Sequence, residues 1–227
     1  MEFVLGSKIL VIGAHPDDEV LGCGGLIYRN SLAKGHTDVL IVSEGTSAQT
    51  IQKDGLSEER HEQLLNAFKL LEGANVFHWS YPDMRLDTVS HIELNKKIYE
   101  LLHENKYDYV FTHHPYDVNL DHRVVFDSTL VATRPTPRSS LKGLFTYYVN
   151  SSTEWGVKSN NEKFHPNSYL NIEIALEKKI SALLCYKDEI RKFPHPRSVD
   201  AVKYKAYSFG AEVGYKAAEV FNIIFLR

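Results

Sequence analysis

The chain has 227 residues, of which 43% are hydrophobic and 24% charged, and its formal net charge is −3 at pH 7. A chain of this size and composition buries a large core, which excludes disordered, collagen-like and disulfide-stapled proteins. The small negative charge, without long runs of like charge, argues against nucleic acid or anionic lipid as partners. No stretch near the start has the pattern of a signal peptide or a membrane span, so we expect a cytoplasmic protein with a small-molecule substrate.

The predicted elements alternate between short buried strands and amphipathic helices. Apolar, β-branched runs predict strands over residues 8–13, 38–43, 76–79, 107–112, 144–149 and 221–226. Helices are expected from Gly22 onward, from a cap at Ser57 to Gly73, and over residues 94–102, 173–191 and 199–218. Loop-forming residues concentrate in segments 44–56, 80–89, 113–121, 134–142 and 150–168. The alternation predicts an α/β fold with a mostly parallel sheet flanked by helices, in a single domain over residues 1–227.

Two loops carry most of the chemistry-bearing side chains. In open α/β sheets, ligands bind beyond the carboxyl ends of the strands. The first predicted strand is followed there by Gly13-Ala-His-Pro-Asp-Asp-Glu19, and the strand ending at Thr112 by His113-His-Pro-Tyr-Asp-Val-Asn-Leu-Asp-His122. The first loop is not a dinucleotide-binding fingerprint, because a histidine and three acids stand where glycines must meet the pyrophosphate.

The acidic first loop indicates a divalent metal. Three adjacent carboxylates repel one another unless a cation offsets their charge. His15 and Asp18 have a spacing that lets both face one point, and His122 is the best third ligand. Nitrogen and oxygen ligands with an open position suit catalytic zinc, although iron(II) or cobalt(II) would accept the same set. Asp17 is then placed to act as general base on a water that the metal activates, and Asp121 to orient a ligand.

A simpler interpretation exists for each loop taken alone. A turn rich in aspartate at the start of a helix can be a helix N-terminus with favourable charge–dipole placement and no other role. Two clusters of ligand-type residues at one edge of the same sheet are less easily explained in this way.

Beyond this chemistry, the sequence resembles a known family. Ala14-His-Pro-Asp-Asp-Glu19, with Asp121-His-Arg123 opening a downstream helix, resembles the LmbE-like zinc-dependent de-N-acetylases, also called the PIG-L family. The resemblance implies a Rossmann-like, three-layer fold and removal of the N-acetyl group from an N-acetylglucosamine-like sugar or its conjugate, with acetate and a free amine as products. It also implies His15, Asp18 and His122 as zinc ligands, Asp17 as general base, Asp121 in support, and a homo-oligomer.

One departure from the family pattern concerns the leaving-group acid. Many members have a histidine at the position of Asn119, and an amide can donate a hydrogen bond to an oxyanion but cannot supply a proton. We expect Asp17 to serve twice, as base and then as acid, with His195 as an electrophilic helper. His114 and His195 are the other candidates for the leaving-group acid.

The remaining candidates are residues that would contact substrate. Arg60 and Arg85 could hold sugar hydroxyls or a phosphate, or form surface ion pairs with Asp83 or a glutamate; Arg197 poses the same choice. His114, Asn119 and Trp155 complete the predicted substrate-binding set. Two rival functions stay open: a metal-dependent sugar-nucleotide transferase, and a catalytically inactive sugar- or metal-binding module of the same fold.

Overall fold

A computed structural model describes residues 1–46, 55–137, 139–156, 159 and 162–227. Within these residues the chain forms one seven-stranded sheet. The strands are β1 (Lys8–Gly13), β2 (His36–Ser43), β3 (Val76–Tyr81), β4 (Tyr109–Thr112), β5 (Gly143–Tyr147), β6 (Ser168–Asn171) and β7 (Ala218–Leu226).

The strand order is β3-β2-β1-β4-β5-β7-β6. Strands β1 to β5 pair in parallel, with Ile9 opposite both Thr37 and Tyr109, whereas β7 lies antiparallel to β5 and to β6. The chain leaves β1 towards β2 on one side and later returns to add β4 on the other. The carboxyl ends of β1 and β4 therefore flank the point where the strand order reverses, which is where open α/β sheets bind ligands.

Helices cover both faces of the sheet. They are α1 (Asp18–Leu32), α2 (Leu56–Leu70), α3 (His91–Asn105), α4 (Leu120–Ala132), α5 (Leu176–Leu183) and α6 (Val199–Ala211). Alternate residues of each buried strand point to opposite faces. In β1, Ile9 and Val11 pack in a cluster with apolar residues of α1, α2, α5 and α6, while Leu10 and Ile12 pack with those of α3 and α4. The predicted α/β, three-layer architecture is confirmed.

Several predicted boundaries were wrong. Helix α1 begins at Asp18 rather than Gly22, and α2 begins after an N-cap at Gly55, which has a left-handed φ of 81°, rather than at Ser57. The helix predicted over 173–191 stops at Leu183, and α6 stops at Ala211 rather than at 218. Strand β6 was missed. Among the strands that the structure describes, it pairs only with β7, at the end of the sheet, and its four residues lack the long buried run that marks the central strands.

Among the residues that the structure describes, no helix is both long and apolar enough to cross a membrane.

Candidate active site

The two ligand-rich loops meet at one edge of the sheet. Strands β1 and β4 are hydrogen-bonded neighbours, so the loop that enters α1 and the loop that enters α4 leave the sheet side by side. Their histidine rings are in contact: the centroids of His15 and His122 lie 5.3 Å apart, and His113 stacks on His122 at 3.8 Å. Residues more than a hundred positions apart in sequence therefore form one cluster.

The predicted ligands come together in this cluster. The side chains of His15, Asp18 and His122 each offer one nitrogen or oxygen atom, and these three atoms lie within 4.8 Å of one another. His15 Nδ1 is 3.5 Å from Asp18 Oδ2, and His122 Nε2 is 3.4 Å from Asp18 Oδ1. Asp18 is fully buried, and His122 is 1% exposed.

Carboxylates behind the two histidines orient their rings. His15 Nε2 lies 3.1 Å from Asp83 Oδ1 and 3.3 Å from Asp121 Oδ2. His122 Nδ1 lies 3.3 Å from Asp117 Oδ1. If these nitrogens carry the protons, His15 Nδ1 and His122 Nε2 keep their lone pairs on the side of Asp18, as a carboxylate–histidine–metal arrangement requires.

Two atoms of the cluster lack the partners that burial demands. Asp18 Oδ1 and His122 Nε2 are buried and have no hydrogen-bond partner among the described residues. Buried polar atoms are nearly always satisfied, so an acceptor oxygen and an imidazole nitrogen left facing each other need an explanation. A divalent cation bound by His15, Asp18 and His122 would satisfy both, and this donor set suits zinc. A second possible group, His15 with Asp83 and Asp121, shares one histidine with the first.

The electrostatics of the cluster favour positive charge. Burial alone would lower the pKa of His122, but Asp18 and Asp117 raise it to about 9. Burial alone would raise the pKa of Asp18, but His122 and His113 hold it well below its usual range. The same negative field that favours a proton on His122 would favour a metal cation in its place.

Asp17 occupies the N-cap position of α1 but does not cap the helix. Its side chain makes no capping hydrogen bond with α1, and its φ of 126° is rare for a residue other than glycine. The carboxylate is instead bound by Arg197, whose Nη1 donates to Asp17 Oδ2 over 2.8 Å. Burial raises the pKa of Asp17 to about 7, although Arg197 lowers it. The helix N-terminus alone therefore does not explain Asp17.

A cavity of about 200 Å³ opens beside the cluster. Its lining combines residues of both loops, residues between β2 and α3, and two charged residues from the C-terminal third of the chain. These residues are His15, Pro16, Asp17, Gly45, Arg60, Asp83, Met84, Asn119, Glu189 and Arg197. Asn119 caps α4 by accepting the Asp121 N–H at its Oδ1, over 2.9 Å. This bond fixes the amide so that Nδ2, which lies 3.5 Å from the weak acceptor Met84 Sδ, is the end available to a ligand.

The predicted substrate-contacting residues divide into two groups. Asn119 and Arg60 line the cavity, and Arg60 pairs with a glutamate, Glu189, over 2.6 Å, although at 3% exposure this pair is not on the surface as expected. Arg85, His114, Trp155 and His195 are not among the described lining residues.

These four residues have other surroundings. His114 is 3% exposed, with Nε2 3.0 Å from the Glu162 carbonyl oxygen and its ring edge against Phe164. His195 accepts the Arg197 N–H at Nδ1 and contacts the half-exposed Trp155 edge to face. Arg85 is exposed. The structure therefore does not bring these four side chains to the cavity.

Sequence reasoning missed several residues of the site. Asp117, His113 and Glu189 received no role, and Asp83 was considered only as an ion-pair partner for an arginine. Asp117 and His113 stand in the loop that was singled out, so their proximity to His122 was a usable signal. Glu189 stands in a segment predicted as helix, and nothing in the local pattern marks it.

The sequence is similar to that of known deacetylases. The PIG-L family model, described as GlcNAc-PI de-N-acetylase, matches residues 10–133. An uncharacterized deacetylase of Escherichia coli (strain K12), YaiS, is 33% identical over 138 residues, which cover 57% of this chain and 70% of that protein.

Two solved structures share the fold. The N,N'-diacetylchitobiose deacetylase of Pyrococcus horikoshii superposes with a TM-score of 0.79 at 21% identity, covering 96% of this chain and 84% of the other. The 4-carboxy-2-hydroxymuconate hydratase GalB of Pseudomonas putida KT2440 superposes with a TM-score of 0.74 at 16% identity, covering 97% of each chain. Since one of these is a hydratase, the fold alone does not fix the reaction. The family assignment rests on the sequence match, which spans more than half of the chain and contains both ligand-rich loops: the chain belongs to the PIG-L family of de-N-acetylases.

Proposed function

We propose that this protein is a metal-dependent hydrolase that removes the N-acetyl group from an N-acetylglucosamine-like sugar or its conjugate. The observation that carries the proposal is the pair of buried atoms without hydrogen-bond partners among the described residues, Asp18 Oδ1 and His122 Nε2. The cavity beside them is lined by Asp17. A metal-dependent amidohydrolase needs these features together: ligands for a cation, a base beside it, and room for the amide.

The geometry supports the following role for each residue. His15, Asp18 and His122 would hold zinc, or iron(II) or cobalt(II), and such a cation polarises an amide carbonyl and makes water more acidic. Asp17 takes a proton from the attacking water and returns it to the amine nitrogen as the C–N bond breaks. Asn119 Nδ2 donates a hydrogen bond to the carbonyl oxygen as negative charge develops there. Water and the amide are thus converted to acetate and a free amine.

The position of Asp17 supports its action in both proton transfers, first as the base and then as the acid. His114 and His195, the other candidates for the leaving-group acid, lie outside the described lining of the cavity, whereas Asp17 is part of it. A base that has taken the proton of the nucleophile is protonated when the amine leaves, so no second acid is required.

The test is acetate release from a panel of N-acetylated sugars and sugar conjugates. Chelated protein should release no acetate, and readdition of a single divalent metal should restore release with one substrate class. No release with any metal would contradict the proposal. Thermal stabilisation by a nucleoside diphosphate with metal, and none by N-acetyl sugars, would instead support a transferase.

A further inference from the structure

Four side chains of alternating charge run along one wall of the cavity. Arg197 Nη1 donates to Asp17 Oδ2 over 2.8 Å and to Glu189 Oε2 over 2.9 Å. The other oxygen of Glu189 accepts from Arg60 Nη2 over 2.6 Å. Glu189 therefore bridges two arginines, and Arg197 in turn bridges two carboxylates. All four residues line the cavity.

Asp17 needs an external partner to fix its direction. Its φ of 126° is strained for an L-residue, and such a conformation persists only where surrounding contacts impose it. Its N–H donates to Glu19 Oε2 over 3.1 Å, which holds the backbone but not the carboxylate. The carboxylate is buried at 2% exposure, and a buried charge requires a partner. Arg197 provides that partner.

Arg197 is itself fixed by contacts with separate parts of the chain. Its Nε donates to Ser151 Oγ over 2.7 Å, and its N–H donates to His195 Nδ1 over 3.1 Å. The bond from Nε to Ser151 and the second bond of Nη1, to Glu189, hold the guanidinium in addition to its bond with Asp17, whereas the bond to His195 is made by the main-chain N–H and holds only the backbone of Arg197. Because the guanidinium is held in place by these contacts, it determines the direction in which the Asp17 carboxylate points.

We propose that Arg197 is a positioning residue for Asp17, and that Glu189, braced by Arg60, holds Arg197 in place. The inference rests on the proposed function, because it concerns the proton-transfer role of Asp17. Since Arg197 occupies Oδ2 of Asp17, Oδ1 is the oxygen that accepts and returns the proton. Arg197 keeps Oδ1 directed into the cavity and does not itself contact the reacting atoms.

The test compares three variants of the metal-loaded protein. Arg197→Met removes the guanidinium and keeps an unbranched side chain, Arg197→Lys keeps a positive charge, and Arg191→Met is the matched control. Arg191 belongs to the same segment but is exposed, and its guanidinium contacts only the carbonyls of Asp188 and Ile190 among the described residues. The measurements are kcat and KM for acetate release, bound zinc per chain, and a crystal structure of each variant.

If the Asp17 carboxylate points in the wrong direction, kcat should fall while substrate binding stays unchanged. For Arg197→Met we expect kcat to fall about a hundredfold, the loss typical of a misplacement near 1 Å. KM should stay within about threefold of the wild-type value, because the contacts that bind the substrate and the transition state equally are not affected. Arg197→Lys should recover most of the lost kcat, Arg191→Met should equal wild type, and zinc content should be the same in all.

Other outcomes would overturn the inference. A raised KM at unchanged kcat would make Arg197 a substrate-binding residue, and an unchanged kcat would leave it without a role in the reaction. If wild-type protein releases no acetate from any substrate, the proposed function fails, and the crystal structures then decide on Arg197. An Asp17 carboxylate in the same orientation with methionine at position 197 refutes the positioning role.

Discussion

Asp117 provides a sharp test of the metal site, because it supports His122 without being a candidate ligand. Its Oδ1 lies 3.3 Å from His122 Nδ1 and accepts the Asn119 N–H over 2.9 Å. The hydroxyls of Ser152 and Thr153 also donate to this carboxylate. Replacement by asparagine keeps the shape and one acceptor oxygen but removes the charge that holds the proton on Nδ1. We expect the Asp117→Asn variant to fold and to bind zinc more weakly.

The size of the effect follows from burial. Loss of a carboxylate behind a metal-binding histidine typically costs about 10- to 100-fold in metal affinity. His122 is 1% exposed, so water cannot take over the position of the missing charge. We therefore expect a loss near the upper end of this range, about a hundredfold, which corresponds to about 2.8 kcal/mol of binding free energy.

The assay is the zinc dissociation constant from competition with a chelator of known affinity. Asp127→Asn is the control, because Asp127 lies on α4, the same helix as His122, but is exposed. Far-UV circular dichroism of the metal-free variants separates a folding defect from a binding defect. A dissociation constant for Asp117→Asn within about twofold of wild type would refute the role of Asp117 in orienting His122, since even the smallest expected loss of affinity is larger.

Three further predictions concern the base, a ligand and the core. Asp17→Asn should keep one zinc per chain while acetate release falls by about two orders of magnitude or more. Metal analysis and the acetate assay on one preparation check this prediction, and near wild-type activity would remove Asp17 from the mechanism. His122→Ala should instead lose zinc, and a variant that retains stoichiometric metal after dialysis would exclude His122 as a ligand. Glu219 pairs with Lys179 over 2.7 Å, with both side chains about 5% exposed or less. Glu219→Gln leaves the buried ammonium without its counter-charge and should lower the free energy of unfolding by about 3 to 5 kcal/mol. Urea denaturation measures the change, and a loss below about 1 kcal/mol would contradict this assignment.

The central part of the fold was predictable because its signals are local. Strands β1, β2 and β4 each contain a short apolar run that is buried on both faces, and the alternation with helices follows from their spacing. The end of α5 was not predictable in this way. Beyond Leu183, Tyr186 is fully buried with its hydroxyl on Glu19, and Glu189 bonds with two arginines. The contacts with Glu19 and Arg60, which are distant in sequence, outweigh a local pattern that favours continued helix.

The same contrast holds for the site. His15, Asp18 and His122 could be brought together from sequence, because each follows a buried strand and parallel strands end at one edge. Arg197 could not be linked to Asp17, since 180 residues separate them and the contact depends on how the C-terminal segment crosses the cavity. His114 was a reasonable candidate by its position, but the backbone turns its ring towards Phe164.

The origin of the site residues explains why both halves of the chain are needed. The family match covers residues 10–133, which contain the three candidate ligands, Asp17 and Asn119. The groups that hold the Asp17 carboxylate come from beyond that range, since Arg197 and its partners Ser151 and Glu189 all follow the parallel strands. The parallel half can thus assemble a cation site at the edge between β1 and β4, but the arginine that is hydrogen-bonded to the buried Asp17 carboxylate, Arg197, comes from the C-terminal segment. Because a buried charge is stabilised by a fixed partner, the proposed role of Asp17 as base depends on the C-terminal segment, and substitutions there should lower acetate release without loss of the metal.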